Sequence, residues 1–315
     1  MEWLLVGLGL LILLLAGDAL VKGAVNLALR IGIPALIVSL TIVAFGTSAP
    51  ELLISVKAAI EGVPGIAMGN VVGSNTANIL LVLGIPAMLA TMHTHKCETR
   101  KSFLQMIAAS VLFIALAFSG SFTWVSGVVL LGALVLIMGL AARDAQAHRK
   151  AGQTAEDDED PEGADPNMPW WRILGFLALG LVGLPLGADL LVDNAVIIAR
   201  DFGISETVIG LTLVAIGTSL PELATTVMAA LRRQADVALG NVIGSNIFNL
   251  LGIIGVAALV APIPVAPEFL SYDLWVMLGA SLLLVPFVFF GKDITWKWGL
   301  ALTALYLGYA VSVLI

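Results

Sequence analysis

A six-residue stretch, GTSAPE at Gly46–Glu51, returns later in the chain as GTSLPE at Gly217–Glu222. A second stretch, GNVVGSNTAN at Gly69–Asn78, returns as GNVIGSNIFN at Gly240–Asn249. Both pairs are separated by the same offset of 171 residues, so no gap is needed between the two stretches. Self-similarity at one fixed offset is typical of duplicated structural units, so the chain is predicted to consist of two related halves.

Ten apolar stretches surround these motifs, five in each half. A helix needs about 20 apolar residues to cross a bilayer, and apolar runs without alternation exclude a membrane β-barrel. The stretches lie near residues 3–21, 33–59, 66–90, 103–119, 122–142, 171–196, 204–231, 237–261, 272–290 and 295–315. We therefore predict an all-α membrane protein with ten transmembrane helices: a five-helix repeat over 1–142, an acidic linker over 143–170 and a second five-helix repeat over 171–315.

The odd number of predicted helices in each half determines how the halves are related. After five crossings the chain is on the opposite side of the membrane, and the second half begins from there. The two repeats are therefore expected to have inverted topology, related by a pseudo-two-fold axis in the membrane plane. Transporters built in this way bind substrate near the midplane, between the repeats, although a channel can have the same symmetry.

The composition excludes most other classes of protein. Hydrophobic residues make up 59% of the 315 residues and charged residues 12%, whereas soluble domains average about 45–50% and about 25%. The net charge of −7 offers no attraction to a nucleic acid. The sequence also contains no zinc-protease, nucleophile-elbow or P-loop motif, so neither an enzyme activity nor a prosthetic group is predicted.

The positions of lysine and arginine predict the orientation in the membrane. With the N-terminus outside the cell, 13 of the 15 Lys and Arg residues fall on the cytoplasmic side, in agreement with the positive-inside rule. Both termini are then outside the cell (inner) membrane and the central linker is cytoplasmic. The linker carries seven acidic residues between Glu156 and Asp165, a composition typical of a solvated connection.

Two glutamates, Glu51 and Glu222, lie inside apolar stretches, where an ionisable side chain is costly and usually functional. Helical spacing places hydroxyl and amide side chains on the same faces. These further candidate ligands are Thr47, Ser48, Ser74 and Asn78 in the first half, and Thr218, Ser219, Ser245 and Asn249 in the second. Because every one of them offers oxygen, the set predicts a site for a hard cation such as Ca²⁺ rather than for Zn²⁺ or Cu⁺.

Each glutamate directly follows a proline that is expected to break its helix. Pro50 and Pro221 have no N–H, so the carbonyl group four residues earlier loses its helical partner. Irregular backbone at membrane depth occurs where it is buried in protein or lines a cavity. Backbone carbonyl oxygens near the two breaks are therefore further candidate ligands: those of Ala44, Thr47, Ala215 and Thr218.

The two repeated motifs resemble the α-repeats of the cation/Ca²⁺ exchanger superfamily, especially those of prokaryotic Na⁺/Ca²⁺ antiporters. The resemblance covers nearly the whole chain. It implies secondary active exchange of Ca²⁺ for Na⁺, with Glu51 and Glu222 as central carboxylates that both ions share. It also implies that the side-chain amide of Asn78 is a ligand. The further ligands that it implies, through hydroxyl or carbonyl groups, are Thr47, Ser48, Ser74, Thr218, Ser219 and Ser245.

Asn249 departs from the family pattern, since many Na⁺/Ca²⁺ exchangers carry Asp at this position. The site then has two formal negative charges, which neutralise one Ca²⁺ or two Na⁺. H⁺/Ca²⁺ antiport through the same two glutamates stays open as an alternative, because burial favours the protonated form of a carboxyl group. A cation channel, which would conduct without a counter-ion, is a less favoured alternative. The lipid bilayer and the transported ions are the predicted partners, and the sequence indicates no particular protein partner.

Overall fold

Where the structure describes them, the apolar stretches form helices, because a chain in a bilayer must satisfy its backbone hydrogen bonds internally. The computed structural model describes residues 1–94, 97, 99–150, 165, 167–203 and 217–314. Helices α1 to α8 are Glu2–Ile31, Ala35–Val38, Ala44–Thr47, Ala49–Ile60, Pro64–Ala77, Gly84–Leu89, Arg100–Ala117 and Trp124–Lys150. Helices α9 to α15 are Trp170–Asp201, Leu220–Leu231, Ala235–Ile247, Ile254–Val260, Leu274–Leu282, Val285–Phe289 and Trp296–Leu314.

Short π-helical segments and one small sheet complete the described elements. The π-helical segments adjoin the α-helices at Ser39–Val43, Asn78–Val82, Phe248–Ile253 and Phe269–Asp273. Strands β1 (Ser121–Phe122) and β2 (Ile263–Pro264) pair antiparallel, with Ser121 opposite Pro264. This sheet joins the start of α8 to the segment that follows α12, so it ties the two halves together outside the helices.

Seven described helical segments are long and apolar enough to cross a membrane, and the bent segment 35–60 makes an eighth if it counts as one span. The seven are Glu2–Ile31, Pro64–Leu89, Arg100–Ala117, Trp124–Ala147, Trp170–Asp201, Ala235–Val260 and Phe269–Phe289. Of the remaining predicted spans, 204–231 is described only from residue 217 onward and 295–315 contains α15. The count of ten helices therefore stays a prediction.

Helix α8 extends beyond the apolar stretch at 122–142. Its apolar part ends near residue 142, but the helix continues to Lys150, so the beginning of the predicted linker is helical. Six of the eight residues at 143–150 are Ala, Arg, Gln or Lys, which favour helix without any apolar surface to bury. Most of the acidic cluster of the linker lies outside the described residues.

The helix breaks in front of each glutamate, as the prolines predict. Ser48 lies between α3 and α4 with φ −84° and ψ 7°, and Pro50 is in the first turn of α4. The helical parts on either side of this break are bent by 46°. Ser219 has nearly the same conformation, φ −90° and ψ 3°, directly before α10, whose first turn contains Pro221. The physical cause is that proline lacks the N–H donor and its ring clashes with the preceding turn.

The centre of the protein is formed by the segments 64–89 and 235–260, which are the most buried of the seven spans. The long helices α1 and α9 pack against each other beside them. Backbones approach closely at Gly244, where a Cβ atom would lie 2.4 Å from the carbonyl oxygen of Leu40 and 2.7 Å from Cβ of Ala44. A small residue is therefore required for α11 to pack against the chain segment that leads to Ser48.

Contacts between the halves repeat with the same offset as the sequence motifs. The side-chain amides of Asn75 and Asn246 donate to each other's backbone carbonyl groups, at 3.4 and 3.3 Å. The same two amide nitrogens approach the sulfur atoms of Met277 and Met106, at 3.8 and 3.7 Å. Reciprocal contacts of this kind are those that a two-fold axis generates.

Candidate ion-binding site

Glu51 and Glu222 lie in the first turns of α4 and α10, and both are buried in protein, with exposed fractions of 1% and 0%. The first N–H groups of a helix have no partner within the helix and carry partial positive charge. A carboxylate in the first turn is therefore stabilised there. The break before each proline creates this helix start inside the protein, so the local sequence places both glutamates at equivalent positions.

Residues from both halves meet at these carboxyl groups. Oγ of Ser48 donates a hydrogen bond of 3.0 Å to Oε1 of Glu222. The hydroxyl groups of Thr47 and Ser245 also lie beside the Glu222 carboxyl group. The carboxyl groups of Glu51 and Glu222 are close enough to interact electrostatically. The structure thus brings together four of the predicted ligands from the first and second halves around Glu222.

Seven buried oxygen atoms of the predicted ligands form no hydrogen bond within the described residues. They are Oε1 and Oε2 of Glu51, Oδ1 of Asn78, Oγ of Ser219, Oε2 of Glu222, Oγ of Ser245 and Oδ1 of Asn249. A buried polar atom without a partner is costly, so such atoms require an explanation such as a bound ion or water. Ca²⁺ takes about 6–8 oxygen ligands, so the number and type of these atoms fit a hard cation as substrate.

The negative charge of this site comes from carboxylates that stand among neutral donors. In the part of the chain that the structure describes, no three His, Cys, Asp or Glu side chains form a cluster. The arrangement differs from a tightly held structural metal site, which uses several charged or soft ligands. A pair of carboxylates with hydroxyl and amide oxygens is suited to a hard ion that is released again.

The remaining predicted ligands have different surroundings. Ser74 is buried in α5, which packs against α4, whereas Thr218 is half-buried. The carbonyl oxygen of Ala44 accepts bonds from the N–H of Ser48 at 3.1 Å and from Oγ1 of Thr47 at 3.3 Å, so the chain itself already engages this oxygen. Ala215 lies outside the described residues.

Two asparagines outside the predicted set of ligands, Asn70 and Asn241, donate hydrogen bonds to the backbone of the two glutamates. Nδ2 of Asn70 donates to the Glu51 carbonyl oxygen at 3.2 Å and, at 2.9 Å, to the hydroxyl group four residues further along α4. Nδ2 of Asn241 does the same for Glu222, at 3.4 and 3.1 Å. Oδ1 of Asn241 also accepts from Oγ1 of Thr47, at 3.3 Å. Their shared place as second residue of the repeated GN motif was the signal that could have identified them.

Comparisons with known proteins show the family to which the chain belongs. The sequence model of the family described as "Sodium/calcium exchanger protein" matches residues 1–142 and 172–315. The "Putative antiporter CaxA" of Alkalimonas amylolytica is 39% identical over 277 residues, which cover 88% of this chain and 86% of that protein. The "Sodium/calcium exchanger MaX1" of Methanosarcina acetivorans is 34% identical over 341 residues, covering 98% and 97%.

Solved structures of one exchanger have the same fold. A structure of the sodium-calcium exchanger NCX_Mj, soaked with Na⁺ and Sr²⁺, superposes with a TM-score of 0.84 at 33% sequence identity and covers 98% of this chain and 97% of that one. The match of the family model over both halves, together with these near full-length relatives, is decisive. The chain is an integral membrane protein that belongs to the sodium/calcium exchanger protein family of cation/Ca²⁺ antiporters.

Proposed function

We propose that the chain is a secondary active antiporter that exchanges Ca²⁺ for Na⁺ across the cell membrane, at a site built on Glu51 and Glu222. The observation that carries the proposal is the buried pair of carboxyl groups surrounded by oxygen atoms without hydrogen-bond partners in the described structure. MaX1 and NCX_Mj, both named as sodium–calcium exchangers, support Na⁺ as the counter-ion.

The charge of the site explains why transport would be an exchange. Two bare carboxylates in a low-dielectric interior repel each other and oppose closure of the site around them. One Ca²⁺ or two Na⁺ neutralise this charge and permit closure. Because both ions use the same oxygen atoms, they compete for the site. Access to the site changes from one side of the membrane to the other only when an ion is bound. No nucleotide is needed for this coupling.

The proposal includes alternating access around a site at the membrane midplane, between two inverted five-helix repeats. The reciprocal contacts of Asn75 with Asn246 support a two-fold relation between the halves. Inverted repeats can exchange conformations, which opens one fixed site first to one side and then to the other. In the proposed orientation both termini lie outside and the linker lies in the cytoplasm.

H⁺/Ca²⁺ antiport at the same two glutamates is the second candidate, and Asn249 is the observation that favours it. An amide at this position leaves two carboxyl groups, which can exchange two protons for one Ca²⁺ without a residual charge. A proton and a sodium ion would thus satisfy the same charge balance.

Flux measurements on purified protein in proteoliposomes distinguish the candidates. We expect ⁴⁵Ca²⁺ uptake when Na⁺ is inside, with the membrane potential clamped, and none without a counter-ion. Uptake driven by a pH gradient in the absence of Na⁺ would identify H⁺/Ca²⁺ antiport instead. Uptake with neither gradient would identify a channel. Protein-free liposomes carrying the same gradients measure the leak.

A further inference from the structure

Asn75 and Asn246 occupy equivalent positions on either side of the two-fold relation. Each is 1% exposed, and each donates its Nδ2 to the backbone carbonyl oxygen of the other. These bonds use one end of each side-chain amide. The other end, Oδ1, can accept a bond from the asparagine three positions after the opposite residue, which is Asn249 for Asn75 and Asn78 for Asn246.

In one half this second bond is present. Oδ1 of Asn246 accepts a hydrogen bond of 3.0 Å from Nδ2 of Asn78. The bond determines the orientation of the Asn78 amide: its NH₂ group is engaged by Asn246, so its oxygen atom is the end available to a cation. Oδ1 of Asn78 is buried and has no partner in the described chain. Only this oxygen end can ligate a cation, since the NH₂ end carries partial positive charge.

In the other half the equivalent bond is missing. The offset of 171 residues converts Asn78 and Asn246 into Asn249 and Asn75. Nδ2 and Oδ1 of Asn249 and Oδ1 of Asn75 are all buried, and none has a hydrogen-bond partner among the residues described. The segment that contains Asn249 packs against α5, the helix of Asn75. The two atoms that the symmetric bond would join are thus both unsatisfied.

We propose that Asn75 is a positioning residue for Asn249: its Oδ1 accepts the Asn249 NH₂ group when a cation is bound, which turns Oδ1 of Asn249 toward the ion. The proposal rests on the exchange function proposed above. An amide must be oriented in this way because only one of its ends can ligate, whereas a carboxylate has two oxygen atoms and needs no such partner. Asn75 therefore determines whether a neutral side chain at this position contributes to cation affinity.

A double-mutant cycle tests this role by equilibrium binding of ⁴⁵Ca²⁺ to the purified protein. We expect Asn75→Ala to weaken Ca²⁺ binding by about tenfold when residue 249 is Asn, the size of one lost hydrogen bond. The effect should fall to twofold or less in an Asn249→Ala or Asn249→Asp background, where no amide has to be oriented. A purely structural role of Asn75 would give the same factor in every background, and that result would overturn the proposal.

The other half of the protein supplies matched controls. Asn246→Ala should show the same coupling with Asn78→Ala, because that bond is present in the structure. The effects of Asn246→Ala and Asn249→Ala on Ca²⁺ binding should be additive. If Asn75→Ala does not give folded protein, Asn75→Ser replaces it in the same cycle, since Ser keeps a small polar side chain and lacks the amide oxygen.

The proposed function is tested separately in the same preparation. Competition between Na⁺ and ⁴⁵Ca²⁺ for the unmodified protein reports on the exchange site. Absence of competition counts against Na⁺/Ca²⁺ exchange. Competition together with additive effects in the cycle leaves the exchange function intact and removes only the assignment of Asn75.

Discussion

Ser48 and Glu222 join the two halves of the protein through a buried hydrogen bond, in which Oγ of Ser48 donates to Oε1 of Glu222 over 3.0 Å. The residues are 174 positions apart in the sequence and both are fully buried. Each lies beside the helix break of its own half. The carboxyl group of one half is therefore positioned partly by a side chain of the other half.

Removal of this donor should weaken ion binding. Ser48→Ala deprives the buried Glu222 carboxyl group of a hydrogen bond, and bonds to a charged group contribute about 1.5–3 kcal/mol. We expect the Ca²⁺ concentration for half-maximal uptake in proteoliposomes to rise by about 10- to 100-fold. Ser119→Ala is the control, because Ser119 is exposed. An unchanged half-saturation value in Ser48→Ala would contradict the role given to this bond.

Neutral substitution of either glutamate should abolish exchange. Glu51→Gln and Glu222→Gln keep the shape of the side chain but remove one of the two charges that balance Ca²⁺, so Na⁺-driven ⁴⁵Ca²⁺ uptake is expected to fall to the level of empty liposomes. Glu61→Gln is the matched control, since Glu61 is an exposed residue at the end of α4 that pairs with Lys57. Normal uptake by either site variant would refute the assignment.

The charge carried in each cycle should depend on residue 249. With two carboxylates the site balances either one Ca²⁺ or two Na⁺, so exchange by the unmodified chain is expected to be electroneutral. Asn249→Asp adds a third negative charge, and a third Na⁺ can then be accommodated. We expect a steeper Na⁺ dependence of ⁴⁵Ca²⁺ uptake and the appearance of a current. The idea fails if the reversal potential and the Na⁺ dependence of the variant match those of the unmodified protein.

A methyl group at Gly244 should disrupt the packing of α11. The added Cβ would lie 2.4 Å from a backbone oxygen atom, which cannot move aside without shifting the segment before Ser48. Overpacking of this kind costs about 1–3 kcal/mol, so Gly244→Ala should lower the melting temperature in detergent and reduce exchange. At Gly132 in α8, a Cβ would meet nothing within 4 Å among the described atoms. Gly132→Ala should leave both measurements nearly unchanged, and equal effects at the two glycines would contradict this explanation.

An ion pair between distant parts of the chain should contribute to stability. Nε of Arg232, at the end of α10, donates to Oδ1 of Asp18 in α1, and Nζ of Lys22 lies 3.0 Å from Oδ2 of the same carboxylate. Arg232→Ala leaves this partly buried carboxylate with one cation, so a loss of about 1–3 kcal/mol is expected. The measurement is thermal unfolding in detergent, with Arg233→Ala as control because Arg233 is exposed. If the double variant Asp18→Arg with Arg232→Asp regains the stability, the ion pair itself stabilises the fold, and not one of the two side chains alone.

Several features of the site were predictable from the sequence because their causes are local. Proline at position 50 breaks the helix at Ser48 wherever the segment lies, and the same holds for Pro221. The break creates a helix start, so Glu51 and Glu222 must lie in first turns. Helix α8 continues to Lys150, past the apolar stretch that ends near residue 142, because helix propensity continues where hydropathy falls.

The partners of the asparagines were not predictable in this way. Asn70, Asn75, Asn241 and Asn246 stand in the repeated motif, but the motif does not say which carbonyl or amide each would reach. The pairing of Asp18 with Arg232, which lies 214 residues away, has no signal in either segment. Such contacts exist only once the helices are packed.

By itself the sequence determined that the protein is a membrane protein, where its helices break and which oxygen-bearing side chains each half supplies, because hydropathy, proline and helical spacing act over neighbouring residues. The tertiary structure decided which of these side chains meet, namely Ser48 with Glu222 and Asn78 with Asn246. It also decided that the amide of Asn78 is hydrogen-bonded to Asn246, whereas the equivalent amide of Asn249 has no hydrogen-bond partner among the described residues. Those differences arise from packing between residues far apart in the chain, where a repeated motif specifies the same chemistry twice but does not specify equal surroundings.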